Sequence, residues 1–113
     1  MLQEAQAAAV ASAAVGTSCE EVDATARRII TDAGYGPQFI HRTGHGIGLE
    51  EHEDPYIVAG NRVALAPGHA FSVEPGIYLS GLYGARIEDI VVAQAAGPLS
   101  LNAVDHDLAI VEG

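Results

Sequence analysis

Apolar positions change their spacing along this chain, and the change divides it in two. Half of residues 2–15 are alanine, the strongest helix former, with no proline or glycine until Gly16, which predicts a helix. Ser18 opens a second helix, and Glu21 three residues later completes a capping-box pattern. Val22, Ala26, Ile29, Ile30 and Ala33 recur at helical spacing and predict one buried face, and Gly34, Gly36 and Pro37 end the segment. From Phe39 glycines are too frequent for a helix, so loops and short extended segments are expected. Asp54-Pro55, Gly60-Asn61 and Pro67-Gly68 mark further turns. Strands are predicted over 70–78 and 85–93, joined around Ser80, Gly81 and Leu82, with a last short strand over 108–111. Helices first and a mainly antiparallel sheet after them read as one α+β domain.

Composition narrows the function classes. At 113 residues the chain suits one core, and 49% apolar residues without tryptophan make that core aliphatic. A net charge of −10, no lysine and five scattered arginines argue against nucleic acid, whose phosphates need a basic face. No stretch is long and apolar enough to span a bilayer, and the alanine-rich start lacks the basic flank of a signal peptide. Cys19, the single cysteine, excludes an intrachain disulfide and suits a reducing compartment, so a cytoplasmic location is expected.

Candidate chemistry is concentrated in two places. The window 41–53 holds three of the five histidines, His41, His45 and His52. Imidazole is the commonest nitrogen ligand of transition metals. Gly44 and Gly46 flank His45 and would let the backbone pass close to a ligand or metal. In a hairpin centred on Gly81, facing residues have numbers of constant sum, which sets Glu74 opposite Glu88. Opposed carboxylates on a partly buried face are tolerated when a proton is shared, a basic group such as Arg86 intervenes, or a cation lies between them. Pro75 could shift this register. One histidine and two glutamates form a partial N/O ligand set suited to Mn²⁺, Fe²⁺, Co²⁺ or Zn²⁺.

Three stretches carry a resemblance: 39–55, Phe71-Ser72-Val73-Glu74-Pro75-Gly76-Ile77-Tyr78, and Gly84-Ala85-Arg86-Ile87-Glu88-Asp89. In this order they resemble the downstream motifs of pita-bread metallopeptidases, and the similarity extends over nearly the whole chain. The resemblance implies that residues 1–113 are the carboxy-terminal part of such a catalytic domain. It implies metal ligation by His45, Glu74 and Glu88, proton transfer by Glu74, and stabilisation of the tetrahedral intermediate by His52. His41 and Arg86 resemble residues lining the substrate pocket in the proline-specific branch, and Arg-Ile-Glu-Asp at 86–89 favours Xaa-Pro dipeptidases and aminopeptidases over methionine aminopeptidases. The implied cofactors are two divalent ions, Mn²⁺ or Co²⁺ before Zn²⁺ or Fe²⁺, and the implied substrate is a peptide with proline second.

The sequence also departs from the family pattern. His69 stands where the family commonly has an apolar residue, and the two aspartates of an upstream hairpin are missing, since Asp23 and Asp32 do not match that motif. A partial or empty metal site, an inactive isolated chain and self-association as a homodimer are therefore expected. A non-catalytic binding module on the same fold, a methionine aminopeptidase-type hydrolase, or an unrelated metallohydrolase are the alternative readings.

Overall fold

The computed structural model describes residues 1–112. Helix α1 spans Leu2–Ser12 and buries Leu2, Ala5, Gln6 and Ala9, a stripe at helical spacing. It ends at Ser12 and not at the expected Val15, because the following backbone pairs elsewhere. Gly16 N–H donates to the Leu65 carbonyl and Leu65 N–H to the Thr17 carbonyl, each at 2.8 Å. Helix α2 spans Cys19–Asp32, with extended Ser18 as N-cap accepting from the Glu21 N–H. The reciprocal half of the capping box does not form, because the Glu21 carboxylate accepts from Arg28 at 2.9 Å. Val22, Ala26 and Ile30 are buried as expected, Ile29 is half-buried, and Ala33, at the C-cap, is exposed. Beyond a short 3₁₀ turn, Gly36–Gln38, no further helix occurs among the described residues, and short strands alternate with loops.

Seven strands follow: β1 Gly44–Gly46, β2 Glu53–Ile57, β3 Ala70–Val73, β4 Gly76–Leu79, β5 Tyr83–Arg86, β6 Asp89–Val92 and β7 Leu99–Ser100. Five form one antiparallel sheet in the order β2-β1-β3-β6-β7, and β4 and β5 form a separate two-stranded sheet. The helices pack against the larger sheet in a single core that joins Ala5, Ala9, Val22, Ala26 and Ile30 to Ile57, Phe71, Val73 and Val91.

The long hairpin keeps the expected register on both sides of Pro75. Ala70 faces Val92, Val73 faces Asp89, Gly76 faces Arg86 and Leu79 faces Tyr83, all pairs of equal sum. Each expected strand is nevertheless broken in two. Pro75 has no N–H to give the ladder, which is interrupted at residues 74–75 and 87–88: Ile87 N–H alone still donates, to the Pro75 carbonyl at 3.3 Å, while Glu74 N–H faces β1 and donates to the Thr43 carbonyl at 2.7 Å.

The expected strand over 108–111 does not form. Leu108, Ile110 and Val111 are irregular and at least 86% exposed. The edge of β6 is instead taken by Leu99 and Ser100, and residues 108–111 pair with no strand. The segment after β7 instead straps back: Leu101 N–H donates to the Ile90 carbonyl, and Asn102 Oδ1 accepts from Ile90 N–H.

Candidate metal centre

His45 lies in the middle of β1, between β2 and β3, and is only 6% exposed. The flanking glycines are explained by this central place. A Cβ at Gly44 would lie 1.8 Å from the Ser72 carbonyl oxygen, and one at Gly46 would lie 2.4 Å from the Glu53 and Asp54 carbonyl oxygens. The close approach is thus to neighbouring strands, where the sequence suggested a ligand or metal. Ser72, buried in β3, fixes the backbone of His45 by accepting its N–H at 3.0 Å. The imidazole Nδ1 is 3.0 Å from the Gly46 carbonyl, which can only accept. Nδ1 therefore carries the proton, and Nε2 presents its lone pair on the side of Glu74, whose Oε2 is 3.8 Å away.

Glu74 and Glu88 emerge where the two ladders of the hairpin part. His45, Glu74 and Glu88 each offer a ligand atom within 4.8 Å of the other two, the single such metal-competent group among the described residues. Donors around one ion at about 2.1 Å would lie within about 4 Å of each other, so small side-chain adjustments close the set. One imidazole and two carboxylates suit a divalent transition ion. Glu74 is half-buried, whereas Glu88 is exposed, not partly buried as the surrounding apolar residues suggested. Its hydrogen bond with Glu74, partial desolvation and the Glu74 charge nonetheless push the Glu88 carboxyl up to about 7, against opposing pulls from Arg86 and His45. Arg86 forms no ion pair with either glutamate among the described residues, so the intervening salt bridge considered from sequence is absent.

The remaining sequence candidates surround this group. A cleft of about 530 Å³ is lined by His41, Arg42, His45, His52, Val58, Glu74 and Arg86. The His52 and His45 rings lie 4.0 Å apart. His41 Nδ1 is 2.7 Å from the Arg42 carbonyl, so its proton sits there and Nε2 accepts from the Tyr78 hydroxyl at 2.9 Å. A larger groove of about 860 Å³ runs past Pro37, Ile40 and the tip of the β4–β5 hairpin, but it contains no metal-ligating cluster.

Sequence reasoning passed over the residues that hold the candidates in place. Asp23, buried on α2, accepts from Thr43 N–H at 3.1 Å, from its hydroxyl at 2.8 Å, and from Arg27 at 3.1 Å. It thereby anchors the entry to β1, and the only signal for it was a carboxylate on an apolar helix face. Asp32 is exposed at the end of α2, and neither aspartate joins the metal-competent group. His69 is a turn residue, with Nδ1 accepting from Ala66 N–H.

Comparison with known proteins identifies the family and the fold. The model of metallopeptidase family M24 matches residues 1–95, a span that includes His41, His45, His52, Glu74, Arg86 and Glu88. The chain belongs to metallopeptidase family M24. It is 55% identical over 111 residues to the probable dipeptidase PepE of Mycobacterium bovis, covering 98% of this chain and 30% of that protein. The Xaa-Pro dipeptidase of Lactobacillus helveticus is 51% identical over 109 residues, again 96% of this chain and 30% of the relative. The crystal structure of dipeptidase PepE from Mycobacterium ulcerans superposes with a TM-score of 0.93 at 57% identity, covering 95% of this chain and 29% of that one. This M24 chain thus has part of a pita-bread fold and spans about 30% of the length of these relatives. No helix among the described residues is long and apolar enough to cross a membrane.

Proposed function

We propose that this M24 chain is the carboxy-terminal part of the catalytic domain of an Xaa-Pro dipeptidase or aminopeptidase, and that His45, Glu74 and Glu88 contribute to a two-metal centre. The observation carrying this reading is the convergence of the three ligand atoms within 4.8 Å, with the His45 Nε2 lone pair turned toward Glu74. Bound divalent ions, Mn²⁺ or Co²⁺ by preference, would act as Lewis acids and lower the pKa of water.

The chain's own residues divide the remaining work. Glu74, half-buried beside His45, takes the proton of the attacking water and delivers it to the leaving imino nitrogen of proline. His52, its ring tilted against that of His45 at the cleft, hydrogen-bonds the oxygen on which negative charge develops. His41, held in one tautomer by Arg42 and Tyr78, contacts the substrate, and Arg86 pairs with its terminal carboxylate. The single buried cysteine suits a reducing, cytoplasmic setting.

The test is a side-by-side assay of dipeptides with proline second against methionyl peptides, using this chain together with the rest of the catalytic domain. Proline-containing dipeptides are expected to be the far better substrates. A preference for methionyl peptides would overturn the assignment. Replacing Arg86 by Ala should raise KM more than it lowers kcat, because the contact to the carboxylate exists in the ground state as well.

A further inference from the structure

We propose that Gln6 is a positioning residue for the metal centre, an amide clamp that fixes the spacing of the two backbone points from which Glu74 and Glu88 emerge. This rests on the reading of His45, Glu74 and Glu88 as ligands. Gln6 lies on the inner face of α1 and is 1% exposed. A buried amide is unfavourable there unless its hydrogens are used. Its Nε2 donates to Asp89 Oδ2 at 2.9 Å and points at the Val73 carbonyl at 3.5 Å. Val73 and Asp89 face each other across β3 and β6. Val73 immediately precedes Glu74, and Asp89 immediately follows Glu88. One side-chain amide therefore spans the rung beside the carboxylate pair.

That rung matters because the ladder thins beyond it: Pro75 has no N–H to give, and a single bond, Ile87 N–H to the Pro75 carbonyl at 3.3 Å, joins the strands there. Glu74 N–H is used by Thr43, and two carboxylates placed together repel, so the hairpin tends to open at the ligands. The clamp opposes this opening from behind. Asp89, only 5% exposed, is tied a second time by His106 Nε2 at 3.1 Å from Oδ1. His106 is itself held through its carbonyl, which accepts from Gln3 Nε2 at 2.8 Å. Helix α1 and the carboxy-terminal strap thus grip one carboxylate next to Glu88. If Gln6 only satisfied a buried site, its loss would lower stability without altering the metal centre of the folded protein.

The experiment is a Co²⁺ titration followed by visible absorption on wild type, Gln6→Met, His106→Ala, His106→Gln and Glu88→Ala, at a temperature where circular dichroism shows each variant folded. Gln6→Met keeps the volume and removes both donors. It is expected to weaken Co²⁺ binding about tenfold and to change the absorption envelope, the scale seen when groups supporting metal ligands are lost. His106→Ala should weaken binding by about threefold, and His106→Gln, which restores a donor, should recover most of it. Wild-type affinity and spectrum in folded Gln6→Met, with binding lost in Glu88→Ala, would overturn the clamp and leave the ligand assignment standing. Wild-type binding by Glu88→Ala would overturn the ligand assignment and the clamp with it. Should Gln6→Met fail to fold, the His106 pair decides: unchanged binding in His106→Ala, or no recovery in His106→Gln, overturns the proposal.

Discussion

Two glutamates set together across a hairpin make the metal-free protein sensitive to pH in an unusual direction. The Glu88 carboxyl is raised from 4.5 to about 7 by its hydrogen bond to Glu74, desolvation and the Glu74 charge. The folded state therefore binds this proton more tightly than the unfolded chain. Its stabilising contribution is complete below about 4.5 and is lost as pH rises through about 7. In chelator, the melting temperature should fall across that interval, and Glu88→Gln should flatten the fall. A wild-type melting temperature that rises from pH 4.5 to 7, with Glu88→Gln showing the same rise, would contradict the pairing. Metal binding should have the opposite trend, strengthening with pH as the shared proton leaves. At this scale the sequence singled out His45, Glu74 and Glu88, which the fold brings within 4.8 Å of one another, and His41, His52 and Arg86, which line the cleft beside them, because few residue types can do such chemistry. It did not reveal that Glu88 is exposed, or that Ser72 bonds the backbone of His45, Asp23 that of Thr43, and Gln6 the side chain of Asp89. Their partners lie far off in sequence, and a single buried polar residue has no periodic signature.

Secondary structure was legible wherever local rules act alone. Ser18 caps α2 as its type and place indicate, and Ser18→Ala should cost about 1 kcal/mol in denaturant unfolding. The hairpin register followed from a turn centred on Gly81, at φ +75° a conformation suited to glycine. Where competition between distant segments decides, the sequence was silent. The end of α1 is set by pairing with residues 63–65, and the edge of β6 goes to Leu99 and Ser100 and not to residues 108–111. β1 shows the same dependence on neighbours. Gly44→Ala would drive a methyl into the Ser72 carbonyl oxygen, so a loss of about 3 kcal/mol or more, or failure to fold, is expected from urea unfolding. A loss under about 0.5 kcal/mol would mean that β1 is not clasped between β2 and β3 as described.

The whole molecule presents its chemistry on one side of a sheet that the helices back. Three sequence windows, 39–55, 71–78 and 84–89, meet there through antiparallel pairing, so order and spacing of motifs carried more information than any motif alone. The chain spans about 30% of its relatives, and its three ligands fall short of what two metal ions at close separation require. On the reading above, the isolated chain should not hydrolyse prolyl dipeptides even with excess Mn²⁺, and robust turnover would contradict this. Exposed Ile40, Leu82, Tyr83, Leu108, Ile110 and Val111 leave apolar surface open to a second copy. Light scattering should accordingly detect a dimer or larger species at micromolar concentration, where a monomer would refute that expectation.

The central claim, that His45, Glu74 and Glu88 hold a divalent ion, is tested most directly by isothermal titration of Mn²⁺ into the chain and its Glu88→Ala and Glu74→Ala variants near pH 7.5. Saturable binding by the wild type, weakened at least tenfold in each variant while both remain folded, is the expected result. Equal binding by wild type and variants, or none by any of them up to millimolar Mn²⁺, would contradict the assignment.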